Sequence, residues 1–170
     1  MPPGALSGPD LTGVVADANA VGLEHVVIGG FSVIFHGYVR ATKDSDLLVP
    51  DGPEADAAVL RFLQRIDGRR FRDDKAPTLE DIAGAETMRV NSRRGIIDIM
   101  RGGLPPLDYE TVSARADTTE WEGQTIRIAA LPSIVGFKRL AGRPQDKMDL
   151  AELTAIYGEL PVDPIPGLDR

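Results

Sequence analysis

The order of short features between His25 and Asp46 constrains this chain more than anything else in its sequence. His25-Val26-Val27-Ile28 is apolar and too short for a helix of its own, which marks a buried strand, and it runs directly into Gly29-Gly30. A helix follows through Phe31, Val33, Ile34 and Phe35 to Gly37, and Ser45 to Val49 forms the next strand, with Asp44-Ser45-Asp46 at its mouth. Strand side chains alternate, so Asp44 and Asp46 project from the same face. Two like charges that close repel, which raises the pKa of one of them unless a cation sits between them, and a divalent metal is the usual solution. A solvated Asp pair in a turn is the other reading of an isolated D-x-D. Gly29 and Gly30 open the helix where backbone N–H groups can approach phosphate oxygens unobstructed, and Ser32 adds a hydroxyl donor. Tight strand-to-helix turns also use glycine for steric reasons alone.

Composition narrows what such a site can hold. Cysteine is absent and there are only two histidines, His25 and His36, so thiolate chemistry, a disulfide framework and a histidine-rich metal cage are excluded. Any metal must be held mainly by carboxylates, which favours a hard cation such as Mg²⁺. The net charge of -7 and pI near 4.8 make the whole molecule repel a polyanion, so nucleic-acid binding needs a local patch. Arg69, Arg70 and Arg72, with Arg93 and Arg94 at a hairpin tip, are the candidates, against a background of scattered solvated arginines. The start, MPPGALSGPD, lacks a basic region followed by an apolar run, and no stretch approaches the roughly 20 apolar residues that span a bilayer. A cytoplasmic location without membrane contact is the resulting expectation.

At 170 residues with 42% hydrophobic and 26% charged content, one core is expected, since domains usually run about 100 to 150 residues. The division is a core from about 9 to 130, a C-terminal helical part from 131 to 160 and an irregular, proline-bearing tail from 161 to 170. Leu11, Val14, Val15, Ala18 and Val21 recur at helical spacing after Pro9-Asp10. Pro53 suits the first turn of a helix carrying Ala57, Val59, Leu60, Leu63 and Ile66. Glu86 to Val90 and Gly95 to Met100 flank the turn Ser92-Arg93-Arg94-Gly95 as a hairpin, and a second hairpin runs from Glu120 to Ala129. Helices resume after Pro132, first through Lys138 and Leu140, then from Gln145 to Tyr157.

Asp98 stands inside Ile96-Ile97-Asp98-Ile99-Met100, where an ionised carboxylate is costly unless paired or metal-bound. If its strand lies beside that of Asp44 and Asp46, three carboxylates converge on one sheet edge, a ligand set for in-line phosphoryl chemistry with Mg²⁺. A salt bridge to Arg89, Arg93 or Arg101 is the alternative.

The stretch Gly29-Gly30-Phe31-Ser32, His36-Gly37 and Arg40-Ala41-Thr42-Lys43-Asp44-Ser45-Asp46 resembles the signature of small bacterial nucleotidyltransferases of the DNA polymerase beta superfamily. Phe137-Lys138-Arg139-Leu140-Ala141-Gly142-Arg143-Pro144-Gln145-Asp146-Lys147-Met148-Asp149-Leu150 is similar to their C-terminal K…R-x-x-D-x-x-D-L motif. That group includes the nucleotidyltransferase toxins of abortive-infection, or type IV, toxin-antitoxin systems. The resemblance covers roughly residues 23 to 155, with the middle anchored by Asp98, and one departure is Ser45, where relatives commonly carry an apolar residue. It implies an α+β nucleotidyltransferase fold with a mixed central sheet flanked by helices and C-terminal helices.

The resemblance also implies an NTP substrate, Mg²⁺, and transfer of a nucleotidyl group to an acceptor hydroxyl on RNA such as tRNA, on protein or on a small compound, with a cognate antitoxin as a partner. In that picture Asp44 and Asp46 are metal ligands, and Asp98 is the third carboxylate and candidate base. Gly29, Gly30 and Ser32 hold the phosphates, and Lys138 approaches the triphosphate. Asp149 is the last acidic position of the motif, at the nucleotide or as a brace for Lys138 or Arg143. Lys138 as a snorkelling helix lysine is its plainer reading. Arg40 and Thr42 are read as fixing the loop before the aspartates, and His36 as a packing or hydrogen-bonding residue. An inactive binding module on the same fold, and an antibiotic-modifying nucleotidyltransferase with an acidic pocket, are the competing functions.

Overall fold

The unbroken apolar runs of β1 (Val26–Ile28) and of the second half of β2 (Asp44–Val49) decide the architecture, because these segments are buried on both faces. Val27, Leu47 and Val49 enter one core with α1 (Leu11–Ala20) and α3 (Pro53–Arg65). Val26, Ile28 and Leu48 enter a second core with α2 (Gly29–Phe35), α5 (Tyr109–Arg115), α6 (Leu131–Ala141) and α7 (Pro144–Tyr157). A strand covered on both faces reads as an unbroken apolar run, as His25 to Ile28 does. The computed structural model describes residues 8–169, so Met1 to Ser7 and Arg170, the extreme ends of the expected 1–170 domain, lie outside the described residues.

The remaining strands are β3 (Arg69–Arg70), β4 (Thr87–Ser92), β5 (Gly95–Arg101), β6 (Asp117–Trp121) and β7 (Gln124–Ile128), and the short helix α4 (Leu79–Ala83) precedes β4. They form one mixed sheet in the order β3-β4-β5-β2-β1-β7-β6. β2 is antiparallel to β1 and parallel to β5, while β1 and β7 are parallel. The register of β2 on β5 sets Asp46 opposite Asp98. Ile97 and Ile99 go into the first core, so alternation turns Asp98 to the face that carries Asp44 and Asp46. The structure is therefore α+β with a mixed sheet between helices, as the resemblance implied.

Three elements escape the sequence pattern. β3 has only two residues. α4 begins with a capping box between Thr78 and Asp81, and α5 with Asp108 accepting the Thr111 N–H, but each helix is too short to show a helical period. The second hairpin also starts earlier than expected, at Asp117, and α7 begins at Pro144. The tail is irregular apart from a bridge between Pro166 and Asp169, which Arg139 holds through Asp169 at 2.6 Å. Among the described residues no helix is long and apolar enough to cross a membrane.

The expected basic patch is corrected by what its arginines touch. Buried Asp17 on α1 accepts hydrogen bonds from Arg65 and Arg94, both at 2.8 Å, with Arg93 at 3.6 Å. Burial alone would push the Asp17 pKa up, but the Arg65 and Arg94 hydrogen bonds outweigh it and hold it below the usual value. The hairpin tip thus ties the sheet to α1 and α3. Arg70 is paired with Asp73 and Asp81, and Arg69 donates to the Asp74 carbonyl. Of the proposed patch, Arg72 alone has no such partner among the described residues.

Ser45 faces the first core between the two aspartates, and its buried Oγ has no hydrogen-bond partner among the described residues. An orphaned buried hydroxyl costs about 1–3 kcal/mol. We expect Ser45→Ala to raise unfolding stability by about 1 kcal/mol in urea titrations; a loss of stability would show that the hydroxyl is satisfied.

Candidate active site

The site lies where β2, β5 and the start of α2 meet. Gly29 takes a φ of 69°, and a Cβ there would collide with the Asp46 carboxylate, so only glycine lets the helix begin this close to the second aspartate. At Gly30 a Cβ would come within 2.6 Å of Thr42 Oγ1. The pair is thus required by close packing against the aspartate loop. Ser32 is buried and its hydroxyl donates to the Gly29 carbonyl at 2.5 Å. Its donor is spent on the turn, which corrects the expectation of a free phosphate donor.

Asp44, Asp46 and Asp98 each place a carboxylate oxygen within 4.8 Å of the others. Burial, followed by the charges of Asp44 and Asp98, pushes the Asp46 pKa up to about 8. Burial also raises Asp98, a shift that Arg89 opposes and Asp44 reinforces. An all-carboxylate cluster with no sulfur or imidazole donor fits a hard divalent cation. Asp98 also meets the plainer expectation: Arg89 Nη1 reaches its Oδ2 at 2.7 Å and Asp44 Oδ2 at 3.2 Å. Asp98 therefore stands both in the carboxylate cluster and in an ion pair with Arg89. Arg93 and Arg101, the other suggested partners, are bound to Asp17 and to Asp56.

The C-terminal motif builds a second charged layer. Gly142, in the left-handed conformation, ends α6, and Pro144 starts α7 so that it packs back on α6. This sets Lys138 of α6 between Asp146 at 3.0 Å and Asp149 at 2.9 Å, all three buried. Lys138 is therefore not a snorkelling lysine. Asp149 is fully buried and receives both Arg40 Nε at 2.8 Å and Nη2 at 2.9 Å, along with Gln145 at 2.8 Å. Burial would raise its pKa, but the Arg40 and Lys138 hydrogen bonds bring it below the usual carboxylate value. Asp149 lines neither cleft beside the aspartates and is bound to Lys138 and Arg40, the bracing position of its two readings. Arg40 also donates to the Ala41 carbonyl and Thr42 to the Asp44 carbonyl, so both brace the aspartate loop. His36 Nε2 lies 3.0 Å from the Ala129 carbonyl, a packing position as expected.

Two clefts open on the carboxylates. One, about 370 Å³, presents Arg40, Lys43, Lys138 and Arg143 around Gly29 and Gly30. The other, about 350 Å³, shares Asp46 and Asp98 but is walled by Ile28, Met100, Ile134, Phe137 and Ala141. Among the described residues, a larger depression of about 740 Å³ near His25 and Arg127 contains no comparable carboxylate cluster. Sequence reasoning gave Arg89 only as one of three alternative partners of Asp98, and Arg143 only as a residue that Asp149 could brace. Arg89 was within reach: in a hairpin with Ser92 opposite Gly95, counting back sets Arg89 opposite Asp98.

No family model matches the sequence, and no curated protein sequence does. Solved structures do. The antibiotic-resistance factor ANT(2'')-Ia superposes with a TM-score of 0.62 at 13% identity, over 87% of this chain and 82% of that one. The chain has the polymerase-beta-like nucleotidyltransferase fold. The lincosamide antibiotic adenylyltransferase LnuA, bound to lincomycin, gives 0.59 at 14% identity over 86% and 96%. A candidate nucleotidyltransferase from Thermotoga maritima gives 0.55 at 14% identity over 86% and 91%.

The raised Asp46 pKa has a definite sign for stability. Between the unfolded value of 3.8 and about 8 the folded protein holds the proton more tightly, so without divalent cations this residue lowers stability as pH rises through that window. We expect urea unfolding in chelator to show a shallower decline from pH 5 to pH 8 for Asp46→Asn than for wild type, the difference reaching at least about 1 kcal/mol at pH 8. Parallel curves would mean that Asp46 ionises freely.

Proposed function

We propose that the protein is a Mg²⁺-dependent nucleotidyltransferase that moves a nucleoside monophosphate from an NTP to the hydroxyl of a small compound. The observation that carries this reading is the convergence of Asp44, Asp46 and Asp98 within 4.8 Å between a basic cleft and an apolar-walled one. Asp44 and Asp46, with Asp98 beside them, would hold Mg²⁺, which when bound neutralises charge on the phosphates and the leaving group. The triphosphate fits the basic cleft, beside the Gly29-Gly30 turn and under Lys138 and Arg143. Lys138 meets charge developing on the departing pyrophosphate, while Asp146 and Asp149 fix its position. Asp98 takes the proton of the acceptor hydroxyl, whose oxygen bonds to the α-phosphorus as the bond to pyrophosphate breaks.

The acceptor side supports a small hydroxyl compound over tRNA. Its cleft is of drug-like size and partly apolar, whereas the arginines that would engage RNA are mostly committed to internal partners. The resemblance to toxin nucleotidyltransferases sets the same chemistry within a toxin-antitoxin pair, and an antitoxin partner belongs to that version of the function. A cytoplasmic setting suits both.

Incubation with each labelled NTP and Mg²⁺, in the presence of hydroxyl compounds, RNA or protein, tests the reading by release of pyrophosphate and by where the label goes. Asp98→Asn is expected to keep NTP affinity within about threefold and to cut transfer by about 10² to 10⁴, the usual contribution of a general base. Undiminished transfer in this variant would remove Asp98 from the chemistry. Asp44→Asn combined with Asp46→Asn is expected to abolish Mg²⁺-dependent NTP binding in a folded protein, and binding as tight as wild type would contradict the metal role.

A further inference from the structure

We propose that Arg89 is a resident counter-ion of the carboxylate site, one that competes with the divalent cation and admits it efficiently only when it arrives with the triphosphate. The inference rests on reading Asp44, Asp46 and Asp98 as the metal site. One guanidinium nitrogen, Nη1, spans two of the three carboxylates, at 2.7 Å from Asp98 and 3.2 Å from Asp44. It supplies positive charge to two of the three carboxylates that a metal would use. The β4–β5 register holds it there by placing Arg89 directly across from Asp98. Phe71 holds it from behind, with the guanidinium carbon 5.0 Å from the ring centroid. The Arg89 side chain is 39% exposed, so it has room to swing out over Phe71 without unpacking the core.

A guanidinium cannot lose its charge near neutral pH, so the competition is between cations. Free Mg²⁺ must displace Arg89 against its two carboxylate contacts. An NTP-bound Mg²⁺ brings phosphate oxygens that give the displaced guanidinium a new anionic partner. Arg89 lines both clefts beside the aspartates, which puts that exchange within reach of its side chain. The consequence is ordered entry: metal alone binds weakly, and metal with nucleotide binds well.

Calorimetric titration of Mg²⁺ alone into chelator-treated protein tests this, with Arg89→Gln, Arg89→Lys and Phe71→Leu beside wild type. Arg89→Gln is expected to bind free Mg²⁺ about three- to tenfold more tightly than wild type, the range expected for removing a half-exposed competing ion pair. Arg89→Lys should stay near wild type because its charge is kept. Phe71→Leu, which loosens Arg89 without removing it, should show a smaller gain and covers the case in which the glutamine variant folds poorly. In chelator, Arg89→Gln should melt below wild type, and saturating Mg²⁺ should remove the difference. A gain in affinity cannot come from structural damage. Equal or weaker Mg²⁺ binding by folded Arg89→Gln, with wild type binding Mg²⁺ measurably, overturns the counter-ion role and leaves the nucleotidyltransferase reading intact. Absence of Mg²⁺ binding in every variant, with and without NTP, overturns both.

Discussion

Mutual repulsion among three carboxylates, two at the start of β2 and one on the neighbouring β5, is the constraint around which the rest of this molecule is arranged. The β2–β5 register brings Asp98 opposite Asp46, and the positive φ of Gly29 brings the start of α2 against the Asp46 carboxylate. Each approach increases burial, and burial is the largest influence that raises Asp46 and Asp98. A fold under selection for stability alone would separate these groups or replace one of them with an apolar residue. Their retention beside two clefts is what a site that recruits positive charge looks like.

Two layers of basic groups answer that negative charge, and they differ in kind. Arg89 is half-exposed and bound to the aspartates themselves. Lys138 is buried and already paired with Asp146 and Asp149, which in turn hold Arg143 and Arg40. The deep layer sets three cations against two carboxylates and is geometrically over-determined, so it positions Lys138 with little freedom. The shallow layer can exchange partners. In the proposed function, one rigid and one movable cation would hold a triphosphate and still open the carboxylates to a metal.

Much of this arrangement is written locally in the chain. Strand, Gly-Gly, helix and D-x-D follow one another within some twenty residues, and each piece carries its own signal of period or turn chemistry. The neighbouring placement of Asp98 also followed from an apolar strand with one charge in it. What escaped reading depends on contacts distant in sequence. Arg93 and Arg94 look like a basic tip, yet they close on Asp17, more than seventy residues away. Ser32 looks like a donor to ligand, but its rotamer returns the hydroxyl to Gly29. Asp149 looks like a nucleotide contact by motif, and only the packing of α7 against α6 shows it to be fully buried under Lys138. The helices α4 and α5 carry caps but too few buried positions to reveal a period.

The most direct measurement of the central claim is anomalous diffraction from crystals grown with Mn²⁺ and a non-hydrolysable NTP analogue, Mn²⁺ standing in for Mg²⁺ on the same oxygen ligands. The account predicts a manganese peak ligated by Asp44 and Asp46 with Asp98 alongside, the triphosphate between the Gly29-Gly30 turn and Lys138, and the Arg89 guanidinium displaced from both aspartates. Nucleotide and manganese bound elsewhere, with Arg89 still spanning Asp44 and Asp98, would contradict it.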